Sequence, residues 1–312
     1  MTSETPSIKS ASEADPTLWV RMGPAVFVLL WSTGFIGAKL GAPYAEPFSF
    51  LGVRFAIASG LMLGIALVLK ATWPNSIRTY GETALVGILV HGLYLGGVFW
   101  AIDRGLAAGT SALIVSVYPL LVGVLAGLVL GEKVSGRHWF GLVLGFIGVT
   151  MVVWDQVKID PDQWPGVAAC VMSLFAVTAG TLLHKRLGTR ISLSASQAVQ
   201  LAAAGCMLGI AAFVYETRVI VWSGEFIFAM TWLVFVLSLG GFTLLYALIR
   251  RGAASKVSSL FYLVPPCTAV VAFILFDETL GTNALAGLLV AAAGVALVTR
   301  QPPGNPAANK PT

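Results

Sequence analysis

The sequence predicts an all-α polytopic membrane protein, with ten transmembrane helices arranged as two inverted five-helix repeats. The composition gives the class, because 57% of the 312 residues are hydrophobic and only 11% are charged, whereas soluble domains carry about 25% charged residues. The apolar residues fall in runs of about 20, the length that crosses the hydrocarbon core as a helix. The order of these runs, and the similarity between the first five and the last five, predict the repeat.

Short joints that contain Pro, Gly or charged residues separate the ten predicted spans, and they leave no room for a soluble catalytic domain. The polar ends of the chain, at residues 1–22 and 301–312, are predicted to be disordered cytoplasmic tails. The spans are predicted at residues 24–41, 47–69, 82–102, 107–130, 136–154, 164–184, 193–215, 226–249, 253–276 and 281–299.

The positions of Lys and Arg predict the orientation of the chain in the membrane. Fourteen of the 19 basic residues fall on the side that holds both termini, four fall on the opposite side, and Arg54 lies within a span. We therefore expect both termini to be cytoplasmic and the protein to cross the inner (cytoplasmic) membrane many times. Because the basic residues do not collect on one face, the net charge of +5 does not indicate a nucleic-acid partner.

An internal repeat emerges when the sequence is shifted by 145 or 146 residues. GLMLGIA at 60–66 then matches GCMLGIA at 205–211, and Pro119 and Glu132 fall on Pro265 and Glu278. The predicted repeats, 23–155 and 163–300, hold five spans each. Because five is odd, the second repeat enters the membrane upside down relative to the first, as in many secondary transporters.

Several motifs in these repeats resemble the EamA type of the drug/metabolite transporter superfamily. They are WSTGFIGAK at 31–39 in the first span, Arg54 in the second, GlyGlu at 131–132 after the fourth, and YLVPP at 262–266 followed by AspGlu at 277–278. The resemblance covers about residues 20–300. It implies a ten-helix inner-membrane permease that exports amino acids or other small metabolites, with a central cavity lined mainly by spans 1, 3, 4, 6, 8 and 9.

His91 is the first candidate for a substrate-binding residue, because polar side chains in the middle of a span are costly in lipid and usually functional. Tyr94 lies three residues further on, which places both side chains on one face of an α-helix. A neutral histidine bonded to a backbone carbonyl is the alternative interpretation. The other candidates are polar or aromatic residues deep in spans that the resemblance places around the cavity: Trp31, Ser32, Trp100, Tyr118, Phe175, Thr178, Phe242, Tyr246 and Tyr262.

Prolines in the fourth and ninth spans are candidates for gating residues. Proline removes a helix hydrogen bond and clashes with the preceding turn, so it bends a helix. Pro119 in one half and Pro265 and Pro266 in the other occupy corresponding positions. Paired hinges and static kinks are both compatible with this pattern.

Arg54 and the glycines are expected to have mainly structural roles. The Arg54 side chain could reach the outer face along the helix, and an ion pair with Glu46 or Asp103 is favoured over substrate binding. Glycines four apart, such as Gly60 with Gly64 and Gly141 with Gly145, allow close packing of membrane helices.

Taken together, these features predict a secondary transporter that exports a small metabolite by alternating access around a central cavity. The chain lacks a GxxxxGK(S/T) phosphate loop and paired metal-binding motifs, so we expect no ATP-driven pump, no cofactor and no metal site. No carboxylate lies in mid-span, which favours facilitated diffusion or exchange, with His91 as the group that could couple transport to protons. A channel and a membrane-embedded enzyme are the alternative classes.

The aromatic candidates and the scarcity of charges also restrict the substrate. A buried multiple charge would require several partners of opposite sign, so amino acids, and aromatic ones in particular, are favoured. Lipophilic drugs, nucleobases and vitamins are the alternatives. A small-molecule substrate and the lipid bilayer are the expected partners, and both a monomer and a homodimer are compatible with the sequence.

Overall fold

The computed structural model describes residues 16–154, 157, 161–188, 191–276 and 282–299. Ten helical spans within these residues are long and apolar enough to cross a membrane, which confirms the predicted class and number of spans. The tail expected at 301–312 and the first fifteen residues of the tail expected at 1–22 lie outside the described residues, and the first helix begins at Pro16. The spans, numbered in chain order, are Met22–Tyr44, Pro47–Val68, Ile77–Asp103, Ala108–Leu130, Gly136–Val153, Pro161–Leu187, Leu193–Tyr215, Gly224–Arg251, Ala254–Val271 and Thr282–Thr299.

Four of these spans have an α-helix that is interrupted in its interior. Spans 3 and 8 each contain a π-helix, Ile88–Leu95 and Leu233–Gly241, between α-helices Ile77–Gly87 and Gly96–Asp103 in span 3 and Gly224–Trp232 and Phe242–Arg251 in span 8. Span 4 is divided into Ala108–Val115 and Tyr118–Leu130, and span 9 into Ala254–Ser259, the 3-10 turn Leu260–Leu263 and Val264–Phe276. The helices of the other spans are Pro16–Gly41, Pro47–Val68, Gly136–Val153, Trp164–Leu187, Leu193–Tyr215 and Thr282–Thr299.

Serine residues begin four of the spans. The hydroxyls of Ser76, Ser135, Ser192 and Ser223 accept hydrogen bonds from the amides three residues further on, at the starts of spans 3, 5, 7 and 8. Each serine satisfies an amide that the helix itself leaves without a partner. The cap at Ser76 explains why span 3 begins five residues before its predicted start at residue 82, where the charges of Arg78 and Glu82 had suggested a joint.

Two other spans are capped by glutamates from the opposite half of the chain. The Glu132 carboxylate accepts hydrogen bonds from the Ala254 amide at 2.8 Å and from Ser255, at the start of span 9. The Glu216 carboxylate accepts from the amides of Phe48 and Ser49 at 2.7 and 2.6 Å, at the start of span 2. A carboxylate at a helix N-terminus is stabilised both by these amides and by the helix dipole. The two halves therefore cap each other.

Glycines set the closest approach between span 5 and span 10. A Cβ atom on Gly141 would lie 2.7 Å from the Gly294 carbonyl oxygen, and one on Gly287 would lie 2.6 Å from the Gly148 carbonyl oxygen. Since the low-numbered end of one helix meets the high-numbered end of the other, these spans run antiparallel. Spans 2 and 7 pack in the same way, through Gly52 against Gly209 and Gly205 against Ala56.

The expected glycine packing does not extend to every pair. A Cβ atom on Gly60 or Gly64 would have no heavy atom within 4 Å. This pair therefore makes no helix contact within the described part of the chain. Both glycines lie on a face of span 2 that no other described helix covers.

The main contacts of spans 1 and 6 correspond when the two halves are exchanged. Span 1 packs against spans 8 and 9, and its counterpart, span 6, packs against spans 3 and 4. The π-helices of spans 3 and 8 begin 145 residues apart, at Ile88 and Leu233, which is the shift that aligns the two halves of the sequence. These relations support the repeat, and its inverted arrangement stays a prediction.

Candidate substrate-binding site

The centre of the bundle holds a connected set of buried polar and aromatic side chains. The Tyr246 hydroxyl of span 8 lies 3.2 Å from His91 Nε2 of span 3. The Tyr246 ring stacks on the His184 ring of span 6, with centroids 3.9 Å apart, and Phe242 packs on His91 at 4.2 Å. All four side chains are nearly inaccessible to solvent. We call His91, His184, Gln200, Phe242 and Tyr246 the central cluster.

Span 7 supplies amide groups to this region. Gln200 Nε2 lies 3.4 Å from His184 Nδ1 and donates to the Ser196 hydroxyl at 2.8 Å. One turn away, Gln197 Nε2 donates to the Thr243 hydroxyl of span 8 at 2.7 Å. Both glutamines are fully buried. The central cluster therefore draws side chains from both halves of the chain.

Several polar atoms in and beside the central cluster have no hydrogen-bond partner within the described part of the chain. They are His91 Nδ1, His184 Nε2, Gln197 Oε1 and Gln200 Oε1. A buried polar atom without a partner is costly, so each such atom calls for a partner, such as an ordered water or a bound molecule. The amide oxygens are acceptors, whereas a neutral histidine can donate or accept. The site can therefore bind a molecule that carries both kinds of group.

Aromatic rings form one wall of the central cluster. The Trp31 ring of span 1 packs against Phe242 at 4.7 Å and against Phe261 at 5.2 Å between centroids. Phe261 also contacts the Tyr118 ring at 5.3 Å. Edge-to-face contacts of this kind stabilise a rigid apolar surface. Such a wall suits an aromatic or aliphatic side chain of a bound molecule.

Arg54 is buried beside the central cluster, and its expected ion pair was wrong. Its side chain is only 3% exposed, and Nε donates to the Ser238 hydroxyl of span 8 at 3.0 Å. Glu46 instead accepts from the Thr217 amide at 2.7 Å, and Asp103 is exposed at the end of span 3. The guanidinium therefore stays within the bundle and does not extend to the outer face.

Tyr94 and Tyr118 belong to a neighbouring cluster, together with Leu174 and Val177 of span 6. The Tyr118 hydroxyl lies 3.1 Å from the Thr181 hydroxyl. Tyr94 thus packs in this neighbouring cluster, whereas His91 contacts Phe242 and Tyr246. Both residues lie in the π-helix Ile88–Leu95, in which side chains are spaced differently from those of an α-helix. The expected common face of His91 and Tyr94 assumed a regular α-helix.

The remaining sequence candidates lie at varied distances from the central cluster. Ser32 is buried and donates to the backbone carbonyls of Val28 and Val264, while Thr178 donates to the Leu174 carbonyl of its own helix. Tyr262 is fully buried against Gly145 of span 5, and its hydroxyl has no partner among the described residues. Phe175 is 58% exposed on the outer surface. The structure therefore does not bring Phe175 into the site.

Trp100 also lies outside the central cluster. Its ring is partly buried near the end of span 3, where the Arg104 guanidinium lies 5.2 Å from the ring centroid. A cavity of about 220 Å³ opens there between Trp100, Arg104, Asp162 and Gln163. Trp100 is thus placed at the mouth of the bundle opposite the predicted cytoplasmic end.

A larger cavity, of about 600 Å³, lies at the opposite end, between the start of span 3, the end of span 6 and the joint before span 7. Its lining includes Trp73, Arg78, Glu82, Leu183 and Arg186. Leu183 precedes His184 in span 6, but no residue of the central cluster lines this cavity. The side chains of the central cluster are themselves buried.

Prolines lie in the first turn of the helix that follows the interruption in span 4 and in span 9. In span 4 the helix breaks at Ser116 and Val117, and Pro119 lies in the first turn of Tyr118–Leu130. In span 9 the 3-10 turn Leu260–Leu263 precedes Val264–Phe276, which starts with Pro265 and Pro266. Proline is tolerated in a first turn because that amide needs no partner. In both spans, a short turn is therefore followed by a helix that carries proline in its first turn.

Sequence reasoning missed His184, Gln197, Gln200 and Ser238. His184 precedes Lys185 and Arg186, and this charged stretch suggested the end of the span. The helix continues to Leu187, and Lys185 Nζ donates to the Ile249 and Gly252 carbonyls at 2.7 and 2.6 Å, at the end of span 8. A signal was present, because Ser173, Thr181 and His184 recur at helical spacing along one face of span 6.

No group of three or more His, Cys, Asp or Glu side chains suited to a metal ion occurs among the residues that the structure describes. The arrangement can instead bind an organic molecule through hydrogen bonds and aromatic contacts. Ten membrane-spanning helices around a closed polar and aromatic centre define a multi-pass membrane transporter. The comparison with known proteins assigns this transporter to a family.

The chain belongs to the EamA-like transporter family, whose model matches residues 22–154 and again residues 164–300. The transporter YvbV of Bacillus subtilis (strain 168) is 31% identical over 287 residues, which cover 88% of this chain and 89% of that protein. The inner membrane transporter YedA of Escherichia coli (strain K12) is 25% identical, over 77% of this chain and 73% of that protein. The protein is therefore a small-molecule transporter and not an enzyme.

Two further comparisons extend this result. A probable amino-acid metabolite efflux pump of Escherichia coli (strain K12) is 22% identical over 276 residues, which cover 84% of this chain and 89% of that protein. A solved crystal structure matches 89% of this chain and 96% of its own chain with a TM-score of 0.76, at 17% identity. At that identity the structural match establishes the fold alone.

Proposed function

We propose that the protein exports a zwitterionic small metabolite, with an amino acid that carries an aromatic or aliphatic side chain as the favoured substrate. The substrate would leave the cytoplasm across the inner membrane by alternating access, and both termini of the chain would be cytoplasmic. The observation that carries this proposal is the set of buried polar atoms without partners, which span 3 of one half and spans 6 and 7 of the other contribute.

The chemistry of these atoms favours a zwitterion. The amide oxygens of Gln197 and Gln200 can accept hydrogen bonds from an ammonium group, whereas His91 and its neighbour Arg54 supply donors. Trp31 and Phe242 offer an apolar surface for a side chain. A multiply charged substrate would leave charges without partners in a region of low polarity. The probable amino-acid metabolite efflux pump of Escherichia coli gives this substrate class further support.

Alternating access needs a conformation open to each side, and the two cavities at the ends of the bundle mark where these openings would form. The cavity beside Leu183 would widen towards the cytoplasm when span 6 moves away from spans 3 and 7. The cavity beside Trp100 would widen towards the opposite side. We propose facilitated diffusion or exchange as the mode of transport, because no carboxylate lies among the described residues of the central cluster.

Counterflow in proteoliposomes tests this proposal. Vesicles that contain the purified protein and unlabelled phenylalanine should accumulate labelled phenylalanine from outside, with saturable kinetics. His91→Gln should reduce the initial rate by about tenfold, the effect of losing one or two buried hydrogen bonds. His138→Gln is the matched control, because His138 is also a buried histidine with an unpartnered Nε2 but lies near the start of span 5.

The outcomes separate the proposed function from its alternatives. Saturable uptake that internal phenylalanine stimulates would support an amino-acid carrier. Uptake that rises linearly with concentration and shows no stimulation would indicate a channel. Transport of lipophilic dyes, nucleobases or vitamins without any amino-acid transport would contradict the proposed substrate class.

A further inference from the structure

Arg54 carries a permanent positive charge in the interior of the bundle. An arginine side chain has five N–H donors, and only the bond from Nε to the Ser238 hydroxyl is formed within the described part of the chain. The guanidinium also lies 5.3 Å from the centroid of the Phe55 ring. No carboxylate among the described residues pairs with it. Most of its donors therefore remain available.

Arg54 lies next to the central cluster, with the Phe55 ring in contact with both. The Phe55 ring lies close both to the guanidinium and to the His91 ring, at 5.4 Å between ring centroids for the latter. His91 Nδ1 is buried and has no partner among the described residues. Ser238 belongs to the π-helix of span 8, three residues before the end of that segment at Gly241. Donors from span 2 and span 3 thus lie beside the same site.

We infer that Arg54 binds the carboxylate of the transported molecule, an inference that rests on the proposed function. A planar guanidinium with free donors matches a carboxylate in a bidentate pair. Ser238 is the positioning residue, because its hydroxyl accepts the hydrogen bond from Nε. The two terminal nitrogens of Arg54 then remain available to bind the ligand. His91 supplies a further donor beside the same group.

A single buried arginine also sets the number of negative charges that the site accepts. One carboxylate neutralises Arg54, and a second would remain without a partner in the bundle. The site therefore selects molecules with one carboxylate over their amides, over the amines that lack it, and over dicarboxylates. This selectivity distinguishes a ligand-binding arginine from one that only stabilises the fold.

Transport of three labelled probes by the full-length protein in proteoliposomes tests the inference: phenylalanine, phenylalaninamide and phenethylamine. For the wild type, the KM of phenylalanine should be about tenfold lower than that of either analogue, as expected for a charge-assisted pair. Arg54→Gln should raise the KM of phenylalanine about tenfold and leave the two analogues within about twofold. Arg54→Lys should restore part of the preference, because it keeps the charge and loses the planar fork.

Two control variants separate this role from a general effect on the protein. Ser238→Ala should raise the KM of phenylalanine by a smaller factor and keep the order of the three probes. Arg218→Gln should change none of the KM values, although the Arg218 guanidinium also lies over a phenylalanine ring, 4.7 Å from the Phe213 centroid. Arg218 is exposed in the joint between spans 7 and 8.

The result for the wild type is informative even if the Arg54 variants do not fold. If the wild type transports all three probes with similar KM values, the role of Arg54 is wrong and the transporter function stands. If Arg54→Gln raises the KM of all three probes by the same factor, Arg54 has only a structural role. If the wild type transports none of the probes and none raises its Tm in detergent, both the amino-acid function and the carboxylate inference fail.

Discussion

The Tyr246 hydroxyl and His91 Nε2 are 3.2 Å apart, and this hydrogen bond joins span 8 to span 3 at the buried centre of the protein. These spans occupy corresponding places in the two halves, and each carries a π-helix beside the contact. The bond therefore connects the two halves at the site itself. A movement of one half relative to the other has to lengthen or break it.

Removal of this bond is expected to weaken transport in a coupled way. Tyr246→Phe should reduce the initial rate of phenylalanine counterflow about fivefold, the effect of one buried hydrogen bond. Because Tyr246 and His91 share the bond, the double variant with His91→Gln should reduce the initial rate by less than the product of the two single reductions. Tyr215→Phe, at an exposed tyrosine, is the control. Strictly multiplicative effects would show that the two residues act separately.

Replacement of the prolines at the interruptions is expected to slow the conformational step. Pro119→Ala combined with Pro265→Ala allows each span to form a more continuous helix, which disfavours bending at this point. Vmax of counterflow should fall about threefold to tenfold while KM changes by less than about twofold, because binding is retained and the movement of the halves is slower. Pro47→Ala, at the start of span 2, is the matched control. Unchanged rates in the double variant would disprove the hinge hypothesis.

The glycine contact between spans 5 and 10 is expected to tolerate no side chain. A Cβ atom on Gly148 would lie 2.3 Å from the Ala291 amide nitrogen, so Gly148→Ala has to push the helices apart. We expect a loss of about 1–3 kcal/mol in the free energy of unfolding, the usual cost of overpacking. Gly64→Ala should be neutral or stabilising, since a Cβ atom there meets nothing within 4 Å. Unfolding by denaturing detergent measures the stability of both variants. Equal stabilities of Gly148→Ala and Gly64→Ala would contradict the close contact between spans 5 and 10.

The contact between Glu46 and Thr217 predicts a pH-dependent stability. The hydrogen bond from the Thr217 side chain is the main cause that lowers the pKa of Glu46 below its ordinary value of 4.5. A carboxylate whose pKa is lower in the folded state stabilises the protein at neutral pH, and this stabilisation is lost as the pH falls through the folded-state pKa. The Tm of Glu46→Gln should therefore be lower than that of the wild type at pH 7, and the difference should vanish only below pH 4.5.

Thr217→Val tests the cause of this effect. It removes the hydroxyl that donates to Glu46 and should reproduce part of the loss at pH 7. Thermal unfolding of both variants and the wild type between pH 7 and pH 3 gives the required curves. A difference between Glu46→Gln and the wild type that stays constant down to pH 3 would contradict this origin.

The sequence was sufficient to predict the class of fold and the number of spans, because an apolar run of about 20 residues has few other stable structures in a membrane. His91, Tyr246, Trp31 and Phe242, which the sequence selects as candidates, are also buried in the structure, and their role in binding stays a prediction. They are aromatic or polar in otherwise aliphatic stretches. Residue type alone is not a sufficient criterion, since Phe213 and Phe235 are exposed.

The faces of the spans could not be predicted in the same way. Span 6 is apolar around most of its circumference, and only the helical spacing of Ser173, Thr181 and His184 indicates that the opposite side, with Phe175, is exposed. The π-helix at Ile88–Leu95 has no sequence signature of its own, and it contains both His91 and Tyr94. Contacts between distant spans, such as Arg54 with Ser238, depend on how the helices cross.

The exchange of caps between Glu132 and Glu216 makes each half of the chain depend on the other for its helix ends. While the chain is being synthesised, span 2 is inserted long before Glu216 exists, so its first amides must wait for a partner from the second half. Either half on its own would therefore leave amides at a helix start without this cap. We expect the two halves to stabilise each other and to unfold together.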